Sequence, residues 1–363
     1  MKDCIGIINL DENEEKLKSL INNNTISSMS IAGRYRIIDF VLSNLTNSGV
    51  ECIGLFAKKK SYSLINHLSN GRPWDLHRKK YGLRIFNYSE YDPVYDDIHS
   101  FMENIDFIKN SDKEYIIMAP SYMVCNINYQ DVINYHRESD NDITIVYKKD
   151  INIKNKYENC QTIEFNTEGK IEGIEVISNK SNNVNLNMEM YIMKTSLFIN
   201  IVRDSLTTGL YKKINDYIIS NTRKLNMGAY KFEGYLACIN SIDSYFNTNK
   251  EILNLEISKE LFYNRPIYTN QRDEPPTYYS KDSKVENSII ANGSYIEGKV
   301  ENSIIGREVI IRNGAVIINS IVMDNCVVDK FSLINNAIVN SGVSFKEESV
   351  IEGFIEKPKI IIE

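Results

Sequence analysis

The sequence of 363 residues lacks any apolar run near the roughly 18 residues that a membrane-spanning helix needs. Its first apolar residues are followed at once by an acidic stretch, residues 11–15, so a secretory signal peptide is not expected. There is also no basic stripe, since 42 Lys and Arg stand against 48 Asp and Glu, a net charge of −6. We therefore expect a cytoplasmic protein that binds neither membranes nor nucleic acid.

Cysteine and histidine are both scarce. The six cysteines are far apart and form no C-x-x-C pair: Cys4, Cys52, Cys125, Cys160, Cys238 and Cys326. This spacing predicts neither a zinc site nor a disulfide framework, and it favours a reducing compartment. The four histidines all lie in the first half of the chain: His67, His77, His99 and His136.

Residues 1 to about 250 read as alternating strands and helices. Residues 4–8 are a short apolar run typical of a buried strand, residues 37–45 carry apolar side chains at helical spacing, and residues 50–57 form the next strand. A second helical stripe over 98–108 precedes an apolar strand at 115–118, and 143–147 continues the series. This order predicts an α/β fold with a mostly parallel sheet. Because ligands bind beyond the carboxyl ends of such strands, we expect any chemistry near residues 9–15 and 119–125.

After about residue 280 an aliphatic side chain recurs every five or six positions. Examples are Ile290, Ile296, Val300, Ile305, Ile310, Val316, Val322, Val327, Leu333, Ile338 and Val343. The hexamer Val-Glu-Asn-Ser-Ile-Ile occurs twice, at 285–290 and 300–305. Antiparallel strands would show a period of two, so the pattern predicts a left-handed parallel β-helix of hexapeptide repeats. The predicted domains are 1–250 and 282–363, with a linker at 251–281 that contains Pro266, Pro275 and Pro276.

Three motifs in register resemble the bacterial ADP-glucose pyrophosphorylase (glucose-1-phosphate adenylyltransferase) family. They are Arg-Tyr-Arg-Ile-Ile-Asp-Phe at 34–40, Gly-Arg-Pro-Trp-Asp-Leu at 71–76, and Phe-Glu-Gly-Tyr at 232–235 followed by 242–246. The resemblance covers nearly the whole chain and implies a Rossmann-like, GT-A-like nucleotidyltransferase domain before the β-helix. The family enzyme joins glucose 1-phosphate to the AMP part of ATP and releases pyrophosphate, with Mg²⁺ held by two aspartates.

The chain departs from the family at the positions that the resemblance assigns to chemistry. The family's glycine-rich, arginine-containing loop is replaced at 9–15 by a stretch without glycine or arginine but with four carboxylates. The Glu-Lys-Pro motif is missing around 172–190, and Met-Gly-Ile-Tyr survives only as 188–191. Against the family pattern, Ile26 takes the place of a lysine, and Ser121 and Cys238 take the places of the two metal-binding aspartates. The degenerate pocket positions are Ile26, Ser121, Cys238, Tyr191 and Glu233.

The resemblance therefore implies a non-catalytic, regulatory GlgD-type subunit, with no catalytic, cofactor-binding or metal-binding residue of its own. Its expected partner is a catalytic ADP-glucose pyrophosphorylase subunit, which would use Mg²⁺, in a heterotetramer for glycogen biosynthesis, with a sugar phosphate as a possible effector. Two alternatives are an active adenylyltransferase with an atypical site and a stand-alone sugar-phosphate sensor. An acyltransferase in the β-helix is not expected, because those enzymes use a histidine within the coils.

Several distinctive residues also have structural interpretations. For Asp39, a salt bridge with Arg34 or Arg36 is favoured over a catalytic role. The single tryptophan, Trp74, is interpreted as a core or interface anchor and not as a platform on which a substrate stacks. Cys238 is interpreted as a small buried hydrophobic residue. The acidic run at 11–15 also suits the start of a helix.

Overall fold

The computed structural model describes residues 1–21, 24–57, 61–87, 96–150, 157, 160–177 and 184–362. By their contacts, the residues form two compact units that interleave along the chain. The first unit consists of 1–12, 40–238 and 265–268, and the second of 13–39, 239–264 and 269–363. The predicted boundaries at residues 250 and 282 stay a prediction.

The helices are α1 (Lys18–Ile21), α2 (Ile37–Asn47), α3 (Tyr62–Leu68), α4 (Asp97–Glu103), α5 (Ile105–Asn110), α6 (Tyr129–Glu138), α7 (Thr195–Thr208), α8 (Ile214–Ser220), α9 (Ile242–Ile252) and α10 (Leu255–Phe262). Short 3₁₀ turns lie at Glu15–Leu17, Ile26–Ser28 and Arg72–Trp74. None of the helices in the described part of the chain is long and apolar enough to cross a membrane.

The strands before the repeats are β1 (Cys4–Leu10), β2 (Ser30–Ile31), β3 (Tyr35–Arg36), β4 (Cys52–Ala57), β5 (Gly82–Asn87), β6 (Tyr115–Pro120), β7 (Met123–Val124), β8 (Ile143–Asp150), β9 (Gln161–Phe165), β10 (Ile171–Val176), β11 (Val184–Lys194), β12 (Met227–Lys231) and β13 (Ala237–Cys238). The strands of the repeats are β14 (Tyr278–Tyr279), β15 (Lys284–Glu286), β16 (Ile289–Ile290), β17 (Tyr295–Ile296), β18 (Lys299–Glu301), β19 (Ile304–Ile305), β20 (Ile310–Ile311), β21 (Val316–Ile318), β22 (Ile321–Val322), β23 (Val327–Val328), β24 (Leu333–Asn335), β25 (Ala337–Val339), β26 (Ser344–Phe345), β27 (Val350–Glu352) and β28 (Lys359–Ile361).

The first unit is built on a nine-stranded sheet whose centre is parallel, in the order β6-β1-β4-β5. Strand β11 pairs antiparallel with both β6 and β8, and β12 pairs parallel with β8. The central strands β4 and β6 are buried along their whole length, as expected for parallel strands with both faces covered. The predicted α/β fold with a mostly parallel sheet is therefore confirmed.

The helical stripe at 98–108 differs from the prediction, because it forms two helices, α4 and α5, rather than one. The break is at Asn104, whose backbone (φ −104°, ψ 17°) is not helical and whose side-chain amide donates to the Ser100 carbonyl at 2.8 Å. A side-chain amide that bonds the nearby backbone competes with the helix ladder. The apolar period continues through this break, so periodicity alone does not reveal it.

In the second unit, residues 278–361 form three parallel sheets of five strands each, as in a β-helix. The two copies of the repeated hexamer lie on adjacent coils, where Val285 pairs with Val300 and Ile290 with Ile305. One column of corners is made by asparagines with positive φ: Asn287, Asn302, Asn319 and Asn336. Asparagine adopts this left-handed conformation more easily than most residues, so each repeat can turn at the same point.

The period of the repeats is confirmed, but the inward side chain is often the next residue along. Ile311, Ile317, Val328 and Ile334 are fully buried in the β-helix interior, whereas the predicted Ile310, Val316, Val327 and Leu333 are half-buried. Adjacent side chains on a strand point to opposite faces. Where two aliphatic residues are adjacent, the sequence does not show which one faces inward.

Segments before the repeats belong to the same unit. The Ala32 N–H donates to Asn249 Oδ1 at 3.0 Å, and the Tyr245 hydroxyl donates to the Ser30 carbonyl at 2.7 Å. Gly33 has φ +76°, and a Cβ there would lie 2.8 Å from the Ile305 carbonyl oxygen, so this position requires glycine.

The inward positions are tested by a pair of neighbours on β20. We expect Ile311→Ala to lower the free energy of unfolding of the second unit by about 2–4 kcal/mol, because it leaves a cavity in the β-helix interior. Ile310→Ala is the matched control and should cost less than about 1.5 kcal/mol, because that side chain is already half exposed. Urea unfolding would measure both, and equal losses would contradict the assigned register.

Candidate functional site

The carboxyl ends of β1 and β6 bring together the two stretches in which chemistry was expected. The strands are adjacent and parallel, with Asn9 opposite Pro120. Just beyond them, Glu12 Oε1 accepts two hydrogen bonds from Ser121, one from the backbone N–H at 2.8 Å and one from the hydroxyl at 2.7 Å. Ser121 is fully buried. A carboxylate of the chain itself thus occupies the donors that this strand end would otherwise offer to an anionic ligand.

A lysine beside this strand end is also engaged by the acidic stretch. Lys213 Nζ forms an ion pair with Asp11 Oδ2 at 2.6 Å. Although desolvation acts in the opposite direction, the Asp11 carboxylate raises the pKa of Lys213. The cation is therefore neutralised by the same stretch that supplies Glu12.

Asp97, the first residue of α4, is a buried acid that belongs to the same region. Its Oδ2 accepts from the Asn9 side-chain amide at 3.2 Å and from the Ile214 N–H at 3.3 Å. Burial, and next the charge of Asp11, raise the pKa of Asp97 well above its usual 3.8. Within the described residues, Asp97 Oδ1 and Asn9 Oδ1 are buried without a hydrogen-bond partner. A protonated Asp97 would supply a donor among these acceptors.

Strand β11 keeps a glycine-like backbone where it carries a glutamate. Its pairing with β8 shifts register between Asn187 and Met190, and Glu189 within this bulge has φ +52°. The Asn187 side chain accepts from the Glu189 N–H at 2.9 Å. Burial raises the pKa of the Glu189 carboxyl, while a hydrogen bond from Tyr122 opposes that rise. The glutamate, which the resemblance places at the family's glycine, thus has a left-handed backbone, and its carboxyl is bonded to Tyr122.

Tyr191 follows the bulge and is held by two amides. It is buried, its hydroxyl donates to Asn215 Oδ1 at 2.6 Å, and it accepts from the Asn187 side-chain amide at 3.0 Å. Both hydrogen-bonding directions of the hydroxyl are used by the protein. This is a closed internal network.

Cys238 lies on β13, which pairs with β7 close to Ser121 in sequence. Its side chain is 2% exposed, and its Sγ lies 3.2 Å from Cys160 Sγ. Burial, and next the neighbouring thiol, raise the pKa of Cys238 well above 9.0, so it is a neutral thiol at pH 7. The prediction of a small buried residue is confirmed.

The residues that the resemblance places at the family's metal positions do not fit Mg²⁺. This ion prefers hard carboxylate, phosphate and water oxygens. Here one position is a neutral thiol and the other is a serine hydroxyl already bonded to Glu12. Among the described residues, no group of three or more His, Cys, Asp or Glu side chains is arranged to hold a metal ion.

The remaining predicted positions make other contacts. Ile26 is in the second unit, where it is buried and its N–H donates to Glu14 Oε1 at 3.0 Å. Glu233 has a side chain 76% exposed and forms an ion pair with Lys231 at 2.6 Å, which lowers the pKa of Glu233. Within the stretch around 172–190, residues 178–183 lie outside the described residues.

Trp74 and Asp39 are both buried residues with structural contacts. Trp74 is 2% exposed and its ring packs edge-on against His67, so it is a core residue as predicted. Asp39 is fully buried and its Oδ2 accepts from the Arg36 N–H at 2.8 Å, so it caps the start of α2. The predicted salt bridge of Asp39 with Arg34 or Arg36 stays a prediction.

Sequence reasoning missed four members of the site: Asp97, Cys160, Glu189 and Lys213. Glu189 had a signal, because it replaces the glycine of the family's Met-Gly-Ile-Tyr motif. The other three come from distant parts of the chain and carry no motif, so only the fold brings them to the site.

The buried Asp97 should make the stability of the protein depend on pH. Folding raises the pKa of Asp97, so above pH 3.8 the unfolded chain releases a proton that the folded chain retains, and stability falls as the pH rises through this window. We expect Asp97→Asn to be more stable than the parent by at least about 1 kcal/mol at pH 8, with a smaller difference at pH 4.5. Urea unfolding at both pH values would measure this, with Asp106→Asn, whose side chain on α5 is exposed, as the control. A difference that does not change with pH would contradict a protonated Asp97.

Comparisons with known proteins match both halves of the chain. Residues 15–254 match the family of nucleotidyl transferases, and residues 276–355 match the GlmU-like C-terminal hexapeptide family. The predicted nucleotidyltransferase domain followed by hexapeptide repeats is thereby confirmed.

Individual relatives show to which group within the nucleotidyl transferase family the chain is similar. The glycogen biosynthesis protein GlgD of Bacillus subtilis (strain 168) is 32% identical over 314 residues, which covers 85% of this chain and 81% of the relative. GlgD of Geobacillus stearothermophilus is 34% identical over 324 residues, covering 86% and 82%. A glucose-1-phosphate adenylyltransferase of Bacillus cereus (strain ATCC 14579) is 27% identical over 363 residues, covering 96% and 94%. The chain therefore belongs to the nucleotidyl transferase family and, within it, to the GlgD glycogen biosynthesis proteins.

Proposed function

We propose that this protein is a non-catalytic subunit that associates with a homologous glucose-1-phosphate adenylyltransferase in the cytoplasm and changes its activity in glycogen biosynthesis. Two kinds of relative support the proposal. The GlgD proteins are named for glycogen biosynthesis, and the more distant relatives are named as the adenylyltransferase. A complex of both chains would place this protein in ADP-glucose synthesis without a reaction of its own.

The observation that carries the proposal is the pair of hydrogen bonds from Ser121 to Glu12. Transfer of a nucleotidyl group needs cations and backbone donors around a triphosphate. Here the donors at the end of β6 are already bonded to a carboxylate, and the expected metal ligand is a hydroxyl. The two Ser121 donors are therefore satisfied within the chain, and the carboxylate that they bind repels a polyanion.

The carboxylates that follow β1 also disfavour the binding of a triphosphate. Asp11 and Glu12 follow β1, and Lys213 is paired with Asp11. Two like charges about 4 Å apart repel by about 4 kcal/mol at an effective dielectric constant of 20. A triphosphate would have to approach these carboxylates without a glycine-rich loop to surround it.

The last coil of the β-helix supports association with another chain. Val350, Phe354 and Ile355 are 62%, 79% and 63% exposed. The final strands β26, β27 and β28 also form open sheet edges in the described part of the chain. Exposed apolar side chains and unpaired edges at a coil end are usually covered by a partner. A heterotetramer is the assembly that we propose.

The first prediction from this proposal concerns catalytic activity. The purified chain should release no pyrophosphate from ATP and glucose 1-phosphate in the presence of Mg²⁺, since Ser121 and Lys213 are already bonded to Glu12 and Asp11. Added to the homologous adenylyltransferase from the same organism, it should change the apparent substrate affinity or kcat by about 5- to 150-fold, the range typical of coupling between subunits. Steady-state assays of each chain alone and of the mixture would measure this.

Three results would overturn the proposal in distinguishable ways. Turnover by the isolated chain near about 10 s⁻¹ would show an active enzyme with an atypical site. Tight binding of glucose 1-phosphate by a chain that binds no homologue would show a stand-alone sensor. A stable complex with unchanged kinetics would leave a structural role alone.

A second prediction concerns the contact between Glu12 and Ser121. Ser121→Asp should lower the free energy of unfolding by about 2–4 kcal/mol, because it removes a hydroxyl donor and sets two carboxylates against each other. Glu12→Gln in the same chain should recover about 1–3 kcal/mol, since a neutral amide can donate to the new aspartate. Neither variant, nor Ser121→Asp combined with Cys238→Asp, should gain activity, because the phosphate loop is still absent.

The matched control for this cycle is Glu15→Gln, which removes a nearby exposed charge of the same stretch. Its effect should add to that of Ser121→Asp within about 0.5 kcal/mol. Additivity of Glu12→Gln with Ser121→Asp would show that the contact has no energetic weight. Activity of Ser121→Asp would show that a single carboxylate is enough to restore the site, and activity gained only with the added Cys238→Asp would show that two are enough.

A further inference from the structure

Two cysteines of the first unit are in direct contact although 78 residues separate them in sequence. The Sγ atoms of Cys160 and Cys238 lie 3.2 Å apart, so one thiol can donate its proton to the other. Both side chains are 2% exposed. Both are reduced thiols that are not joined by a disulfide in this structure.

The backbone on each side of the pair is held by hydrogen bonds. The Cys160 N–H donates to the Tyr157 carbonyl at 3.1 Å, and the Ile177 N–H donates to the Cys160 carbonyl at 2.8 Å. On the other side, β13 pairs Cys238 with Met123. The Tyr157 hydroxyl joins the two sides by donating to the Leu236 carbonyl at 3.3 Å. The thiols are therefore brought into contact by a fixed framework.

We propose that Cys160 and Cys238 form a reversible intramolecular disulfide when the protein meets hydrogen peroxide. A disulfide has sulfur atoms about 2.05 Å apart, so the sulfur atoms must approach by about 1 Å. This movement is within reach of small side-chain rotations. The pair is a modification site beside the closed pocket, and the proposal does not depend on whether the chain is catalytic.

The reaction balances with peroxide as the oxidant. One thiol loses its proton, and the thiolate attacks a peroxide oxygen, breaking the O–O bond to give a sulfenic acid and, after proton uptake, one water. The second thiolate then attacks the sulfenic sulfur, the S–O bond breaks, and the departing hydroxide takes a proton to give the second water. The two sulfurs are oxidised by two electrons, and the peroxide is reduced by two electrons.

Burial sets the conditions for this reaction. It raises the pKa of Cys238, so the nucleophilic thiolate becomes more abundant, and oxidation faster, as the pH rises. The small peroxide molecule needs less opening of the structure than a bulky disulfide reagent does. Once a sulfenic acid forms, the second thiol is already in contact with it, so the disulfide forms before further oxidation.

The product should be more stable than the reduced protein. A bond that closes a loop of this length restricts the unfolded chain, which raises the melting temperature when the native geometry is not strained. We expect Tm to rise by several degrees after peroxide treatment. Dithiothreitol should reverse the rise.

The experiment is a peroxide titration of the full-length chain at pH 7 and pH 8.5. Intact mass should show the loss of two hydrogens, and digestion without reduction should yield a peptide that links Cys160 to Cys238. Cys160→Ser and Cys238→Ser should each abolish both this peptide and the rise in Tm. Cys125→Ser is the matched control, because it removes another fully buried thiol of the same unit and should leave both signals intact.

The outcomes that would overturn the proposal do not require the variants to fold. A linked peptide from any other pair of cysteines in the parent chain would refute it. So would oxidation of methionines with all six thiols still titratable under unfolding conditions. A linkage of Cys160 to Cys238 without a change in Tm would support the disulfide but contradict the expected stabilisation, since strain in the folded state would then offset the restriction of the unfolded chain.

Discussion

A site that handles a triphosphate must present positive potential and free backbone donors, and the contact between Glu12 and Ser121 removes both. The carboxylate takes the N–H and the hydroxyl at the end of β6, at 2.8 and 2.7 Å. The neighbouring carboxylate of Asp11 forms an ion pair with the ammonium group of Lys213. Because a buried donor without a partner is costly, this internal pairing also stabilises the fold around the closed site. In the proposed function, the same contact that satisfies the Ser121 donors also removes them from phosphate binding.

The other departures from the family follow the same rule. Cys238 contacts Cys160, and Glu189 bonds to Tyr122 while keeping a left-handed backbone. A non-glycine residue in this conformation costs roughly 1–2 kcal/mol. The bulge forms despite that cost, since the pairing of β11 with β8 fixes the chain on either side of it. The residues near these strand ends bond to one another.

Much of the architecture can be predicted from the sequence because it depends on local periodicity. The apolar runs of β1 and β4, the stripe of α2 and the repeats from residue 278 onward each follow from spacing. The β-helix register is less certain, because Ile310 and Ile311 are equally apolar and only the fold shows which faces inward. The break at Asn104 was missed for a similar reason, since one side-chain hydrogen bond interrupts an otherwise continuous pattern.

For the candidate site, the sequence predicts which family residues are missing, but not which groups replace them. Missing glycines and aspartates can be read against a family motif, and Ser121 and Cys238 were identified in this way. The groups that replace the ligands come from distant positions, such as Asp97 beside Asn9. Their proximity depends on crossover connections that bring separate strand ends to one edge of the sheet, and no local pattern encodes it.

We propose that the carboxylates of this site close it to the substrates of the family enzyme. Isothermal titration calorimetry of Mg·ATP into the isolated chain, in parallel with the homologous adenylyltransferase under the same conditions, measures this binding. We expect saturable heat for the adenylyltransferase and no saturable heat for this chain up to about 1 mM ATP, the upper end of ordinary substrate affinities. Saturable binding of Mg·ATP by this chain with a micromolar Kd would contradict it.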